Sequence, residues 1–424
     1  MRPYLFNSIS SYNRSKFQAD LGAGITVGLV ALPLALAIGV ASGTKPENGL
    51  ITGVIGGLLV SLFGGSRIQI GGPAAAFIGL VYATTAQFGF DGLMIALMLS
   101  GLLMISMGLL KFGNLIKFIP DAVITGFTSG IALLIVVAQT KAFLGLDVGK
   151  LPGDTVGQAK LLWAALPSVN LTTFLLGVTA LAFLFNWPKS LQAKLRIPTT
   201  ILVLVLGSLL APLFSWCGGQ SIATIGSAFG GLGSASLNFH WPSLGNTSIT
   251  ALIGPAFSLA LLGAIESLLC AKIADDLFNK ERAPKTPEVH NSNQELIGQG
   301  IANFFTPLFG GLATTGTMAR TITNIKSGAQ TPFAGIFHAL TLLLVLLVAA
   351  PLAKHIPMTV LAAILLWVSW GMFDGVYYLQ KDRVNGLTAL ITLALTIFWG
   401  LAVAVVIGTV SYALMTRVVR KQPA

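Results

Sequence analysis

The stretch Leu62-Phe63-Gly64-Gly65-Ser66-Arg67-Ile68-Gln69-Ile70-Gly71-Gly72-Pro73-Ala74-Ala75-Ala76 has an echo 246 residues later. There the chain reads Leu308-Phe309-Gly310-Gly311-Leu312-Ala313-Thr314-Thr315-Gly316-Thr317-Met318-Ala319-Arg320. In each copy Leu-Phe-Gly-Gly closes an apolar run. A short, partly β-branched piece follows, then glycine, then a helix start. Glycine at 72 and 316 lets the backbone approach a ligand closely. Pro73 suits a first helical turn, where its missing N–H costs nothing. Each copy therefore reads as an extended piece leading into the N-terminus of a short helix, with spans predicted at 72–86 and 317–327.

The flanking sequence places these pieces in a bilayer. The 424 residues are 54% hydrophobic and only 9% charged, where a soluble domain carries about 25%. Such a chain cannot give a soluble core a polar skin, so it is read as a polytopic membrane protein. Irregular backbone at membrane depth is tolerated only inside protein or beside a watery cavity. Short helices at corresponding points of two repeats are a pointer to a transporter's central site.

Apolar runs of about 20 residues suit spanning helices. The spans fall at 20–41, 49–64, 72–86, 89–110, 120–143, 171–187, 198–216, 250–274, 294–309, 317–327, 329–352, 356–371, 384–399 and 400–416, with 372–383 interfacial. Equivalent points of the echo lie seven spans apart. An odd number inverts the second copy, so repeat one covers about 20–216 and repeat two about 250–416, in a single transport domain. Basic residues support the count through the positive-inside bias. Arg2, Arg14 and Lys16, Lys111 and Lys117, Lys189, Lys194 and Arg196, Lys280, Arg282 and Lys285, and Arg417, Arg420 and Lys421 all fall on one side. The loop 218–249 has no charged residue and falls on the other. Lys45, Lys150, Lys160 and Lys354 are outnumbered exceptions. Both termini are expected in the cytoplasm, with no cleavable signal peptide. The net charge of +11 follows these loops and does not indicate nucleic acid.

Two helix N-termini facing one cavity present partial positive charge and free N–H donors, which together make an anion site. Arg320, in the first turn of the second short helix, adds a full charge or pairs with a buried carboxylate. Arg67 reads as structural or snorkelling. Glu266 is the carboxylate in the middle of a span, within Gly263-Ala264-Ile265-Glu266-Ser267. It either carries a coupling cation or proton, or neutralises Arg320. Glu295 reads as a helix N-terminal residue beside the cytoplasm. Asp20, Asp121 and Asp374 read as capping or interfacial groups. Gly126-Phe127-Thr128-Ser129-Gly130 reads as tight helix packing. Cys217 and Cys270 read as packing residues, and the four histidines form no cluster, so no metal or haem site is expected.

The chain also resembles a known family over nearly its whole length. Ala19-Asp20-Leu21-Gly22-Ala23-Gly24-Ile25-Thr26-Val27-Gly28, Ala31-Leu32-Pro33-Leu34-Ala35-Leu36-Ala37, Gly64-Gly65-Ser66-Arg67 with Gly72-Pro73, and Gly126-Phe127-Thr128 carry part of the likeness. More specific are Gly263 to Ala271, Glu295-Leu296-Ile297-Gly298-Gln299-Gly300-Ile301-Ala302-Asn303 and Ala319-Arg320-Thr321. In these the chain is similar to the SulP anion transporters, nearest to bacterial members associated with dicarboxylate or bicarbonate transport. The resemblance implies an all-α fold of seven plus seven inverted spans. Spans 1–4 and 8–11 form a core, the rest form a gate, and the core moves elevator-fashion. It implies an anion held by Leu34, Ile38, Ala74, Ala75, Thr317, Ala319 and Arg320, beside Gly72 and Gly316. Several relatives have Gln and an aromatic where this chain has Leu34 and Ile38, which leaves backbone amides as the main ligands. The resemblance also implies a homodimer in the bacterial inner membrane. Sodium-coupled bicarbonate relatives have Asp at the position of Glu266, so sodium or a proton is the coupling partner and no other cofactor is expected. The family usually carries a cytoplasmic STAS domain after the last span; this sequence stops at Ala424 with a basic tail and no STAS domain, so either the natural protein lacks that domain or the sequence is a piece of a longer one.

The leading expectation is a secondary transporter of a small anion: bicarbonate, sulfate or a C4-dicarboxylate. An uncoupled channel or exchanger, and a nucleobase transporter of the same architecture, are the alternatives. An enzyme is not expected, because no nucleophile, paired-carboxylate or metal constellation is present. There is also no phosphate-binding Gly-x-x-x-x-Gly-Lys-Ser/Thr loop.

Overall fold

Apolar helices dominate the computed structural model, which describes residues 2–114, 119–149, 151–152, 155–188, 199–230, 237–243, 245, 248–282, 287–348, 350–373 and 383–420. Lys117, Lys150, Lys189, Lys194, Arg196, Lys285, Asp374 and Lys421 lie outside the described residues, as does most of the stretch 372–383.

Repeat one contributes α1 (Arg14–Ala41), α2 (Pro46–Phe63), α3 (Ala75–Leu109), α4 (Asp121–Leu144), α5 (Leu171–Asn186) and α6 (Thr199–Gly218). Repeat two contributes α7 (Ile249–Arg282), α8 (Ser292–Phe305), α9 (Met318–Lys326), α10 (Phe333–Val348), α11 (Met358–Met372), α12 (Arg383–Phe398) and α13 (Leu401–Arg420). Six of these are long and apolar enough by themselves to cross a membrane, and five more are shorter apolar helices. Every predicted span has a helix. The third and fourth spans run together as α3, divided at Gly89, whose φ of 73° leaves the helical region.

Helix α9 has nine residues, about 14 Å of rise, less than half of a hydrocarbon core of about 30 Å. The remaining depth is covered by extended chain. Strands β1 (Gly71–Pro73) and β2 (Thr314–Gly316) pair antiparallel, with Gly71 opposite Gly316 and Pro73 opposite Thr314. A single 3-10 turn, Ala75–Phe77, then opens α3. Because the strands are antiparallel, α3 and α9 leave the pair in opposite directions.

Each repeat's second helix grips the other repeat's crossing strand. From α2, Asn48 Nδ2 donates to Gly310 O (2.5 Å), and Thr52 Oγ1 accepts from Leu312 N (2.6 Å). Thr52 also opens a wide π turn, Thr52–Gly56, a feature common at functional sites. From α8, Gln294 Nε2 donates to Phe63 O (2.8 Å). Glu295 Oε2 accepts from Gly65 N (2.8 Å) and Ser66 N (3.1 Å). Backbone that has left helical hydrogen bonding is thereby satisfied inside the protein.

The helices form two packing groups. In one, α8 and α7 pack on α3, and α10 packs on α1. In the other, α12 and α11 pack on α4, α11 and α6 on α5, and α13 on α12. The groups meet where α11 and α6 lie against α1. Close packing in the second group uses the small residues of α4. A Cβ on Gly126 would lie 2.1 Å from Ala389 O, and one on Gly130 would lie 2.7 Å from the Thr396 side chain. The packing reading of 126–130 therefore holds.

At the end of the bundle where α1 starts, the short helix Tyr4–Ile9 is tied down. Tyr4 Oη donates to Glu288 Oε2 (2.6 Å), and Tyr4 N donates to Gly64 O (3.0 Å). Burial, and then the bond to Glu288, push the Tyr4 phenol up to about 12. Arg67 pairs with Glu288, donates to Gln330 O (2.7 Å) and lies over the Phe278 ring. Arg67 is structural, as expected.

Candidate functional site

The paired strands are the centre of the candidate site. The N-termini of α3 and α9 start on either side of them, and the N–H groups of a first helical turn have no acceptor within their own helix. At the start of α9 the Thr317 side chain does not cap the helix. Thr317 N and Oγ1 instead both donate to Ile70 O, at 2.9 and 3.1 Å. The open first-turn amides are those that follow it. Met318 and Ala319 are exposed, so this turn faces open space. On α3, Ala75 is half-buried and lines a cavity of about 400 Å³ with Ala76, Tyr82, Ile131 and Ala138. Leu34 and Ile38 of α1 are buried in one apolar cluster with Ala74. They offer no donor, so polar contact here falls to backbone amides.

Arg320 is almost wholly buried, at 2% exposure. Its guanidinium folds back over β1, and a Cβ on Gly72 would come 2.1 Å from Nη1. Only glycine leaves that space, and the φ of 155° at Gly72 favours glycine as well. Among the described residues Arg320 has no ion pair, and its Nη1 is buried without a hydrogen-bond partner. A buried cation of this kind is costly unless something else neutralises it.

Glu266 sits midway along α7, half-buried, with Oε2 enclosed and unpartnered. It does not pair with Arg320 within 4.0 Å. Of the two roles open to Glu266 in the sequence, neutralising Arg320 is therefore not seen here. One residue on, Ser267 starts a chain of polar contacts. Gln69 Nε2 donates to Ser267 O (3.2 Å) and Oγ (3.1 Å), and Ser267 Oγ donates to Glu295 Oε1 (3.1 Å). The Gln69 amide fills the space over Gly316, where a Cβ would meet Nε2 at 1.4 Å.

Glu295 differs from its sequence reading. It is in the first turn of α8 but has no exposure at all. Gly65 N, Ser66 N, Ser267 Oγ and Gln299 Nε2 all donate to it. The chain leaving Phe63 folds over the start of α8 and shuts out solvent. Asp20 also differs in detail. It caps, but the chain it caps leads into α10: Asp20 Oδ1 accepts from Gln330 N (2.7 Å) and Thr331 N (3.1 Å), and Oδ2 from Thr331 Oγ1 (2.5 Å).

Sequence reasoning missed Gln69, Ser267, Asn303 and His338. Asn303 receives Thr314 N (2.9 Å) and donates to Thr314 O (2.7 Å), fixing β2 against α8. The signal was available: Glu295, Gln299 and Asn303 recur every four residues, a polar stripe along one face of the helix. His338 carried no sequence signal.

The chain is similar to known proteins over most of its length. A family model, the sulfate permease family, matches residues 17–395. YvdB of Bacillus subtilis (strain 168), which carries a provisional sulfate-transporter name, is 40% identical over 401 residues. The match takes in 94% of this chain and 73% of that protein. The bicarbonate transporter BicA of Picosynechococcus sp. (strain ATCC 27264 / PCC 7002 / PR-6) is 34% identical over 403 residues, 92% of this chain and 68% of that one. The solved transmembrane domain of a cyanobacterium BicA superposes with a TM-score of 0.78 at 30% identity, covering 95% of this chain and 98% of that one.

Proposed function

The chain belongs to the sulfate permease family, a membrane anion-transporter family, and on that premise we propose that it is a secondary active transporter of bicarbonate, sulfate or a C4-dicarboxylate. The observation that carries this reading is the buried, unpaired Arg320 at the crossing from which two helix N-termini diverge. An anion placed there meets first-turn amides from both repeats and supplies the negative charge that the guanidinium lacks. The residues in contact are Gly72, Ala74 and Ala75 on one side and Gly316, Thr317, Ala319 and Arg320 on the other, with Leu34 and Ile38 forming an apolar wall.

The group of α1, α2, α3 and α7 to α10 is the moving core, and the group of α4 to α6 and α11 to α13 is the gate. Sliding of the core against the gate exposes the crossing to each side of the membrane in turn. Glu266, whose enclosed Oε2 has no partner among the described residues, binds the coupling ion, a proton or sodium. The positive-inside bias supports both termini in the cytoplasm, and family resemblance supports a homodimer in the bacterial inner membrane.

The test is uptake into proteoliposomes of labelled bicarbonate, sulfate and succinate. Each anion is run with a pH gradient, a sodium gradient or neither, for wild type and Glu266→Gln. Gradient-driven uptake of one anion, lost in the variant, is the expected result. Uptake indifferent to both gradients, and unchanged in the variant, would turn the reading to an uncoupled exchanger or channel.

A further inference from the structure

Behind β1, on the side facing α2 and α10, lies a second titratable group that the reading above does not use. His338 of α10 has no exposure, and among the described residues neither ring nitrogen has a hydrogen-bond partner. A core histidine kept only for packing would be expected to satisfy at least one nitrogen, because an orphaned polar group in an apolar interior is costly. The neighbourhood is shaped around it by glycines. On α1, a Cβ at Gly24 would lie 2.9 Å from His338 N, and one at Gly28 would lie 3.4 Å from His338 O. On α2, a Cβ at Gly57 would lie 3.7 Å from His338 Nε2 and 3.0 Å from Gly71 O. The next residue, Gly72, is the seat of Arg320 Nη1. The imidazole and Gly71 therefore both border Gly57, and the unpaired guanidinium lies against the next residue of β1. Thr314 Oγ1, buried and unpartnered beside Gly56, lines the same region.

The other charged groups on the packed elements sit at the ends of those elements. Arg14, Lys16 and Asp20 are near the start of α1, and Asp20 is engaged by Gln330 and Thr331. Glu47 is in the first turn of α2, paired with Lys45 at 4.0 Å. Lys326 ends α9.

We propose that His338 is a proton-coupling residue: it takes up a proton when an anion occupies the crossing beside Arg320, and releases it when the anion leaves. The reasoning is Coulombic. Two positive charges in one poorly solvated region repel strongly, and an anion against the guanidinium removes most of that repulsion. Anion and proton are then bound together by linkage, and each favours the other by the same factor. The inference rests on the anion reading of Arg320. It adds a proton-binding group separate from Glu266.

The experiment is counterflow in proteoliposomes with labelled bicarbonate, sulfate and succinate, at a series of symmetric pH values, concentrations being expressed as the anion. Wild type, His338→Gln, His338→Asn and Glu266→Gln are compared. In wild type the KM for the transported anion is expected to rise with pH. The slope is expected to become shallower in both His338 variants and to persist, in whole or in part, in Glu266→Gln. A wild-type profile flat in pH overturns the inference while leaving the anion reading intact, and this arm needs no variant to fold. A slope as steep in the His338 variants as in wild type, or one lost only in Glu266→Gln, assigns the proton elsewhere and also overturns it. Loss of all counterflow in both His338 variants marks the residue as structural and overturns it too. No counterflow of any of the three anions in wild type overturns the anion reading itself.

Discussion

Arg320 Nη1 occupies the space that a side chain at Gly72 would need, 2.1 Å from where its Cβ would stand. A residue from the second repeat is thus positioned by the backbone of the first, across the strand pair that joins them.

Gly72→Ala tests that relationship. The methyl group displaces the guanidinium and strains a backbone with φ of 155°. The apparent KM for the transported anion should rise by about tenfold or more, the size of effect expected from losing one charge-assisted contact. Concentration-dependent uptake is the check, and an unchanged KM would show that Arg320 does not contact the anion.

Ala319→Trp tests the site without disturbing the core. Ala319 is exposed in the first turn of α9, so the indole has room but stands in the anion's place. Uptake should fall to background while the melting temperature in detergent stays near wild type. Normal uptake would mean that the anion does not approach this turn.

Glu295→Gln tests the buried network. Four donors point at the carboxylate, and an amide presents its NH2 to donors on one side. Hydrogen bonds to a charged group contribute about 1.5–3 kcal/mol each, so a clear drop in thermal stability is expected. Equal melting temperatures for variant and wild type would contradict the network.

Thr52→Val tests the grip on the second crossing strand. The substitution keeps the shape but removes the oxygen that accepts Leu312 N. An orphaned buried N–H costs about 1–3 kcal/mol. The variant should melt earlier, and amide exchange at Leu312 should speed up. Unaltered protection at Leu312 would sink this account.

Much of the architecture was legible in the residues. Apolar runs located the helices α1 to α13, because in a bilayer each segment must satisfy its own backbone and length reports depth directly. The Leu-Phe-Gly-Gly echo, with its short helices at 72–86 and 317–327, indicated inversion, since an odd number of spans separates the copies. The break at Gly89 was also visible as a gap between apolar runs.

The interior polar contacts were not legible in the same way. Glu295 looked like an ordinary helix-start acid, because nothing local says that Gly65 and Ser66 fold over it. Asp20 looked like a cap for its own helix, yet it caps residues more than 300 positions away. His338 is one histidine in an apolar run until packing brings it beside the strand that seats Arg320.

Local residues were enough to put the chain in a membrane and to locate its apolar helices and its two irregular stretches. These follow from local hydropathy and from the conformational needs of glycine and proline. Tertiary structure alone decided that the two crossings pair as strands, that Arg320 stays unpaired while Glu266 stands apart from it, and that Glu295 is sealed inside. The strand pairing and the sealing of Glu295 depend on which residues of one repeat meet those of the other, and contacts across more than 200 residues leave no local pattern.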